Sequence, residues 1–302
     1  MRTGSRFLLL FLFLAASFGF ESAPRAKAGP PEGVDTSLPP LRIAFIPSTN
    51  PDQMLDDVRP VVAYFEQELG RPVRPYVMID YSAAVEALRG GHADVSFMSP
   101  LPYVMAHQMG AADALLGEIY RGRTTYQAKI FVRRDSGIRT LADLRGKTIA
   151  FVDPISSSGF MYPVDIFHRA GLLQPGEAPE MFFSRAYFAG GDEQAIRSVF
   201  NRFTDAAGIG EFSILLLRPE ERDSVVSIGE SVDIPSHCVV VRKDLDPELR
   251  RAFRDATLNL NKPAHRHLLR YLYGTDGYVP VTHETFLGVE QMARTYGFLR
   301  GK

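Results

Sequence analysis

Residues 148–163 read TIAFVDPISSSGFMYP, and there the chain gathers groups able to hold an anion. A β-rich run ends at Asp153-Pro154, since proline breaks a strand ladder and restricts the residue before it. Ser156, Ser157 and Ser158 follow, then Gly159 and an apolar run with helical spacing. The pattern predicts a helix with serines at its N-cap and first turn. A helix start leaves four backbone N–H groups without intrahelical acceptors and carries about half a positive charge. Hydroxyls beside those amides make a cradle for a small oxyanion without a lysine, and Gly159 permits close backbone approach. The plainer reading has one serine capping the helix and the others solvated. Position favours the cradle, because ligand crevices in α/β sheets lie outside the carboxyl ends of strands.

Three more β-rich runs end on similar helix starts. Ser99 follows residues 94–98, Ser48 follows residues 41–46, and Asp192 follows the Gly190-Gly191 turn after residues 185–188. Capping explains each singly; helix starts converging from different parts of the chain are harder to attribute to capping alone. His237 and Cys238 are adjacent, which suggests a nucleophilic pair, but neighbours on a strand point to opposite faces. Cys238 is the one cysteine, so a disulfide framework and a cysteine metal site are excluded, and the thiol is expected to be buried and inert. The remaining histidines show no ligand spacing with carboxylates. No catalytic residue, metal or cofactor is predicted.

The elements that must position these groups alternate. From residue 41 the order is strand (41–47), helix (52–69), strand (73–79), helix (82–88), strand (94–98) and a helix from about residue 101. A second run begins near residue 128, with strands at 128–133, 148–151, 185–188 and 206–209. Between these lie helices at 141–144, 159–170 and 193–200. A strand at 238–242 follows, and the remainder reads as helical. This order implies parallel strands covered by helices. It predicts an α/β fold of two lobes, the second inserted in the first: residues 41–126 and 241–302 in one, residues 127–240 in the other. Two crossovers make a hinge, and a hinge between lobes makes a cleft.

Ahead of the lobes, Arg2 and Arg6 precede the 14-residue apolar run 7–20, and Ala26-Lys27-Ala28 suits a cleavage site. Residues 1–28 are therefore expected to be an export signal; a membrane anchor is the weaker reading, because spanning takes about 20 apolar residues. No cysteine follows the run, so no lipid anchor is expected. Residues 29–40, rich in Pro and Gly, read as a flexible leader. Without residues 1–28 the chain keeps 30 basic and 34 acidic residues. That balance argues against nucleic-acid binding and leaves any anion to local donors.

With these residues in view, the chain resembles the phosphate/phosphonate/phosphite-binding periplasmic receptors of ABC importers. The resemblance rests on Asp153-Pro-Ile-Ser-Ser-Ser-Gly-Phe-Met-Tyr-Pro163, with support from Asp80-Tyr81, Gly91-His-Ala-Asp-Val95, Tyr126, Asp135-Ser-Gly137 and Leu141-Ala-Asp-Leu144. It implies a type II periplasmic-binding-protein fold and a small oxyanion held by Ser156, Ser157, Ser158, Tyr81 and Tyr126. It also implies a monomer that hands its ligand to an importer permease, or else a sensor that reports it to a membrane partner. Two positions depart from the family pattern: Asp192 stands after the glycine turn where histidine is common, and Ile234-Pro-Ser-His237 replaces I-P-x-D. Asp192 would then accept a ligand proton or an ammonium, with His237 as donor; the alternative makes both rim residues. Aminoethylphosphonate loses its expected acid partner. An esterase or hydrolase reading lacks a nucleophile–base pair and metal ligands.

Overall fold

The computed structural model describes residues 33–299 except 48, 49 and 175. Strand β1 (Leu41–Phe45) leads through α1 (Pro51–Leu69) to β2 (Val73–Val77), then α2 (Tyr81–Arg89), β3 (Val95–Met98), α3 (Pro100–Gln108) and β4 (Ala112–Ile119). The run LRIAF is almost wholly buried, as a parallel strand covered on both faces requires. Asn50 caps α1 by accepting from the Asp52 and Gln53 amides, Pro51 occupies its first turn, and Gly70 ends it in the left-handed region at φ 61°.

After β4 the chain crosses through β5 (Thr125–Tyr126) into β6 (Ala128–Arg133) and β7 (Thr148–Phe151). There follow α4 (Tyr162–Arg169), β8 (Arg185–Phe188), α5 (Asp192–Phe200), β9 (Ala206–Gly210), α6 (Pro219–Arg222) and β10 (Val225–Glu230). It returns through β11 (Ile234–Pro235) to β12 (Cys238–Arg242), α7 (Pro247–Asn259), β13 (Gly277–Pro280) and α8 (Leu287–Thr295). Two sheets result, one ordered β13-β4-β12-β3-β1-β2 and the other β10-β6-β9-β7-β8. The crossings pair with each other, Ile234 opposite Tyr126 and Pro235 opposite Thr125, as a two-stranded ribbon. This is a two-lobe α/β fold with one lobe inserted in the other.

One hydrophobic cluster runs from the first sheet to the second, joining Met98, Leu101 and Val104 with Ile155, Met161 and Ile196. Each sheet also has its own core, around Phe45, Phe65 and Phe253 in the first and around Ile130, Ile149 and Phe167 in the second.

Several expectations change. All of β12 pairs within the first sheet, against β3 and β4, including the residues 238–240 that the sequence reading gave to the second lobe. Strand β4, ADALLGEI, was not expected because alanine and leucine favour helix locally, and pairing with β12 and β13 overrides that preference. Strand β10 is broken by a register shift between Ser227 and Gly229, which hides its alternation. Strand β13 interrupts a tail read as wholly helical. The described end of the leader is tied down, since the Asp35 amide donates to the Gly70 carbonyl at 2.9 Å. The predicted export signal lies outside the described residues.

Candidate functional site

A cleft of about 350 Å³ is lined from both sheets and from both crossings. Phe45, Tyr81 and Glu118 come from the first lobe, Ser158, Asp192 and Gly210 from the second, and Tyr126, Ser236 and His237 from the crossings. Five of the expected residues, Ser158, Tyr126, Tyr81, Asp192 and His237, therefore share one space.

The three serines diverge. Ser156 Oγ accepts from the Gly159 amide at 3.0 Å and caps the π-helical turn Ser157–Met161 that leads into α4. Ser157 Oγ accepts from the Leu101 amide at 2.8 Å, and so serves α3 across the lobe boundary. Helix α3 needs that acceptor because its own N-cap, Ser99, makes no side-chain cap bond. Only Ser158 of the three is on the cleft wall, where its Oγ accepts from the Tyr126 hydroxyl at 3.2 Å. A Cβ at position 210 would lie 3.3 Å from Ser158 Oγ, so Gly210 keeps the approach open.

Gly159 has a different reason from the one expected. A Cβ there would sit 2.4 Å from Val152 Cβ, so the close approach it allows is to its own strand end rather than to a ligand. Asp153 also reaches across: its Oδ2 accepts from the Tyr81 amide at 3.4 Å and its Oδ1 from the Ile155 amide at 2.9 Å. The D-P-x-S-S-S-G segment thus spends Asp153 and Ser157 on the first turns of two helices in the other lobe.

Ser99 is buried, its Oγ has no hydrogen-bond partner, and it is absent from the cleft lining. Ser48 lies outside the described residues. Asp192 opens α5, and its Oδ1 accepts from the Ser213 hydroxyl at 2.8 Å. Burial raises the Asp192 carboxyl above the ordinary range, and the Ser213 bond opposes that rise. Burial also raises Tyr81 and Tyr126, with the nearby Asp192 charge adding to both, so both phenols remain donors. His237 stands edge-on to Tyr126, with ring centroids 5.6 Å apart, and burial lowers it to about 4. It is therefore a neutral imidazole with a single N–H to offer. Cys238 points away into the core, its Sγ 3.7 Å from the Met98 carbonyl.

Sequence reading missed Glu118, which sits 4% exposed on β4 and lines the cleft. Burial raises its carboxyl to about 8. The signal was a single acid in the apolar run LLGEI, which only a correct strand assignment would have exposed. Ser213 and Phe212, just past the end of β9, were missed because they follow a strand without beginning a regular α-helix. Among the described residues no group of three or more His, Cys, Asp or Glu side chains is placed to hold a metal.

The chain and its fold are matched by known proteins. The family model for periplasmic substrate-binding proteins of phosphonate ABC transporters covers residues 43–286, and the chain belongs to that family. The family consists of substrate-binding components, not enzymes. A phosphate-import protein, PhnD, of Mycolicibacterium smegmatis is 30% identical over 171 residues, which is 55% of this chain and 53% of that protein. The chain thus spans about half the length of the relative it matches. Two solved structures share the fold. One is a binding protein component of an ABC phosphonate transporter from Pseudomonas aeruginosa, with TM-score 0.76, 19% identity and coverage of 84% of this chain and 85% of that one. The other, PhnD1 of Prochlorococcus marinus in complex with methylphosphonate, has TM-score 0.75, 16% identity and coverage of 86% and 98%.

Proposed function

We propose that this chain is an exported solute receptor that captures a small phosphorus oxyanion, such as a phosphonate, phosphite or phosphate, for an ABC importer. The observation that carries this reading is the pairing of the Ser158 and Tyr126 hydroxyls at the wall of a cleft entered from both lobes. Ser158 offers its own proton while receiving one from Tyr126, and Tyr81 adds a phenol whose proton burial retains. These are neutral donors in a cleft whose lining, among the described residues, contains one arginine, Arg270, and no lysine. Neutral donors favour an anion of low charge, because desolvating a dianion without a cation is costly. The lobes would comprise residues 41–126 with 237–299, and residues 127–236, hinged at the β5–β11 ribbon. The protein would act as a monomer and present its closed form to a permease.

A thermal-shift series with phosphate, phosphite, methylphosphonate and ethylphosphonate tests the reading. A ligand at 100 times its dissociation constant adds about 2.7 kcal/mol of stability. Stabilisation by at least one of them, weakened in Ser158→Ala, is the expected result. No shift with any of the four would refute the proposal.

A further inference from the structure

Helix α8 runs into Tyr296-Gly297-Phe298, two aromatic rings on either side of a glycine. Gly297 occupies the left-handed region at φ 75°. The Phe298 amide donates to the Ala293 carbonyl at 2.8 Å, and the Gly297 amide to the Arg294 carbonyl at 3.2 Å. This pair of bonds closes a glycine-terminated helix and turns the chain sharply off its axis. Both rings then meet the second lobe. Tyr296 stacks on His168 of α4 with ring centroids 4.9 Å apart, and its hydroxyl donates to Asp165 Oδ1 at 2.5 Å. Phe298 packs at right angles to Phe160, with centroids 5.9 Å apart.

Phe160 stands two residues after Ser158 in the π-helical turn Ser157–Met161, and Asp165 and His168 lie on the helix that continues that turn. The turn is an unusual piece of backbone. Its bonds run from the Met161 amide to the Ser156 carbonyl and from the Tyr162 amide to the Ser157 carbonyl, each spanning five residues. Such turns are rare, occur singly and concentrate at functional sites. Two grips hold this one. On one side Ser157 Oγ accepts from the Leu101 amide of α3 at 2.8 Å. On the other stand Tyr296 and Phe298. The grips are joined, because Gln108 Nε2 at the end of α3 donates to Glu290 Oε1 of α8 at 2.7 Å. The contacts thus close a ring from the turn through α3 and α8 to residues 296–298 and back to the turn. Ser158 is the residue of that turn on the cleft wall, whereas neither Tyr296 nor Phe298 lines the cleft.

We infer that Tyr296 and Phe298 are positioning residues for the oxyanion site, which hold Ser158 against Tyr126 from behind the turn and touch no guest. The inference rests on the oxyanion reading above. It gives a role to a segment outside every motif that the sequence reading used, and it adds a tie between the lobes beside the β5–β11 ribbon. The Ser158–Tyr126 bond joins the turn to that ribbon at 3.2 Å, so a turn released from behind loosens the pair of hydroxyls. Coupling of this kind is reciprocal: whatever factor the docked segment adds to oxyanion affinity, the oxyanion adds to docking of the segment. A segment that merely covered apolar surface would alter stability and leave affinity alone.

Isothermal titration with whichever of phosphate, phosphite, methylphosphonate and ethylphosphonate stabilises the natural chain best tests this. Phe298→Ala should bind it roughly five- to tenfold more weakly, at unchanged stoichiometry, the size of a modest coupling between sites. Phe298→Tyr keeps a ring against Phe160 and should recover most of the lost affinity. Tyr296→Phe keeps the stack on His168, deletes one hydrogen bond and should fall between the natural chain and Phe298→Ala. The natural chain decides the matter even if Phe298→Ala fails to fold. Saturating oxyanion should slow hydrogen exchange at the Gly297 and Phe298 amides by roughly fivefold or more. A lowered melting temperature with unchanged affinity in Phe298→Ala, an affinity in Phe298→Tyr no better than in Phe298→Ala, or equal exchange with and without oxyanion would each overturn the assignment. Binding of none of the four oxyanions by the natural chain would instead overturn the oxyanion reading on which it rests.

Discussion

Ser158 reaches the cleft while its two neighbours are committed to helix starts, and that difference can be read by substitution. Ser158→Ala should weaken binding of whichever oxyanion stabilises the protein by roughly tenfold or more, the loss expected for a hydrogen bond to a charged group. Its melting temperature should stay near that of the natural chain, because Tyr126 keeps access to the cleft. Ser157→Ala should behave in the opposite way: it strips the Leu101 amide of its acceptor and should cost about 1–3 kcal/mol, visible in denaturant unfolding. Glu118 gives a pH signature independent of any ligand. Its carboxyl is raised to about 8 in the folded state, so the folded state holds a proton that the unfolded chain loses at ordinary carboxylate pH. Stability should therefore fall as pH rises toward and through 8, by an amount on the order of a few kcal/mol, and Glu118→Gln should flatten that fall. His237 acts at the other end of the scale. Because it is lowered to about 4, stability should decline as pH drops from the ordinary histidine range toward that value.

At the scale of elements, the β7-to-α4 connection shows how much of a motif is architecture. Gly159 lies against Val152, and the Val152 amide donates to the Gly159 carbonyl at 3.0 Å. Gly159→Ala should destabilise the fold by about 1–3 kcal/mol through overpacking, with a lowered melting temperature in calorimetry and no ligand needed to see it. Elements with their own local signals were legible in the sequence. Strand β1, helix α1, and helix α5 after the glycine turn stand close to where apolar spacing and the bounding glycines put them. Strand β4 was not legible, because its residue types favour helix and only neighbouring strands hold it extended. The same failure concealed Glu118. The serine turn was legible as a helix start, but the partner of each hydroxyl depends on the other lobe, which no local pattern records.

For the whole molecule, the proposed capture would couple to closure through the residues that join the lobes. The hydrogen bonds from Leu101 to Ser157 and from Tyr81 to Asp153 cross the boundary, and so does the contact of the Tyr296 hydroxyl with Asp165 Oδ1 at 2.5 Å. Each ties the two halves to one another in this structure. A ligand shifts a closure equilibrium only by its differential affinity for the two forms, and a guest touched from both lobes has that preference. Small-angle scattering should accordingly show a smaller radius of gyration on ligand addition for the natural chain. The most direct test of the account is a crystal structure of the protein grown with the oxyanion that stabilises it best. The account predicts that oxyanion within hydrogen-bond distance of Ser158 Oγ and the Tyr126 hydroxyl, inside the cleft; finding it elsewhere, with those two hydroxyls untouched, would contradict it.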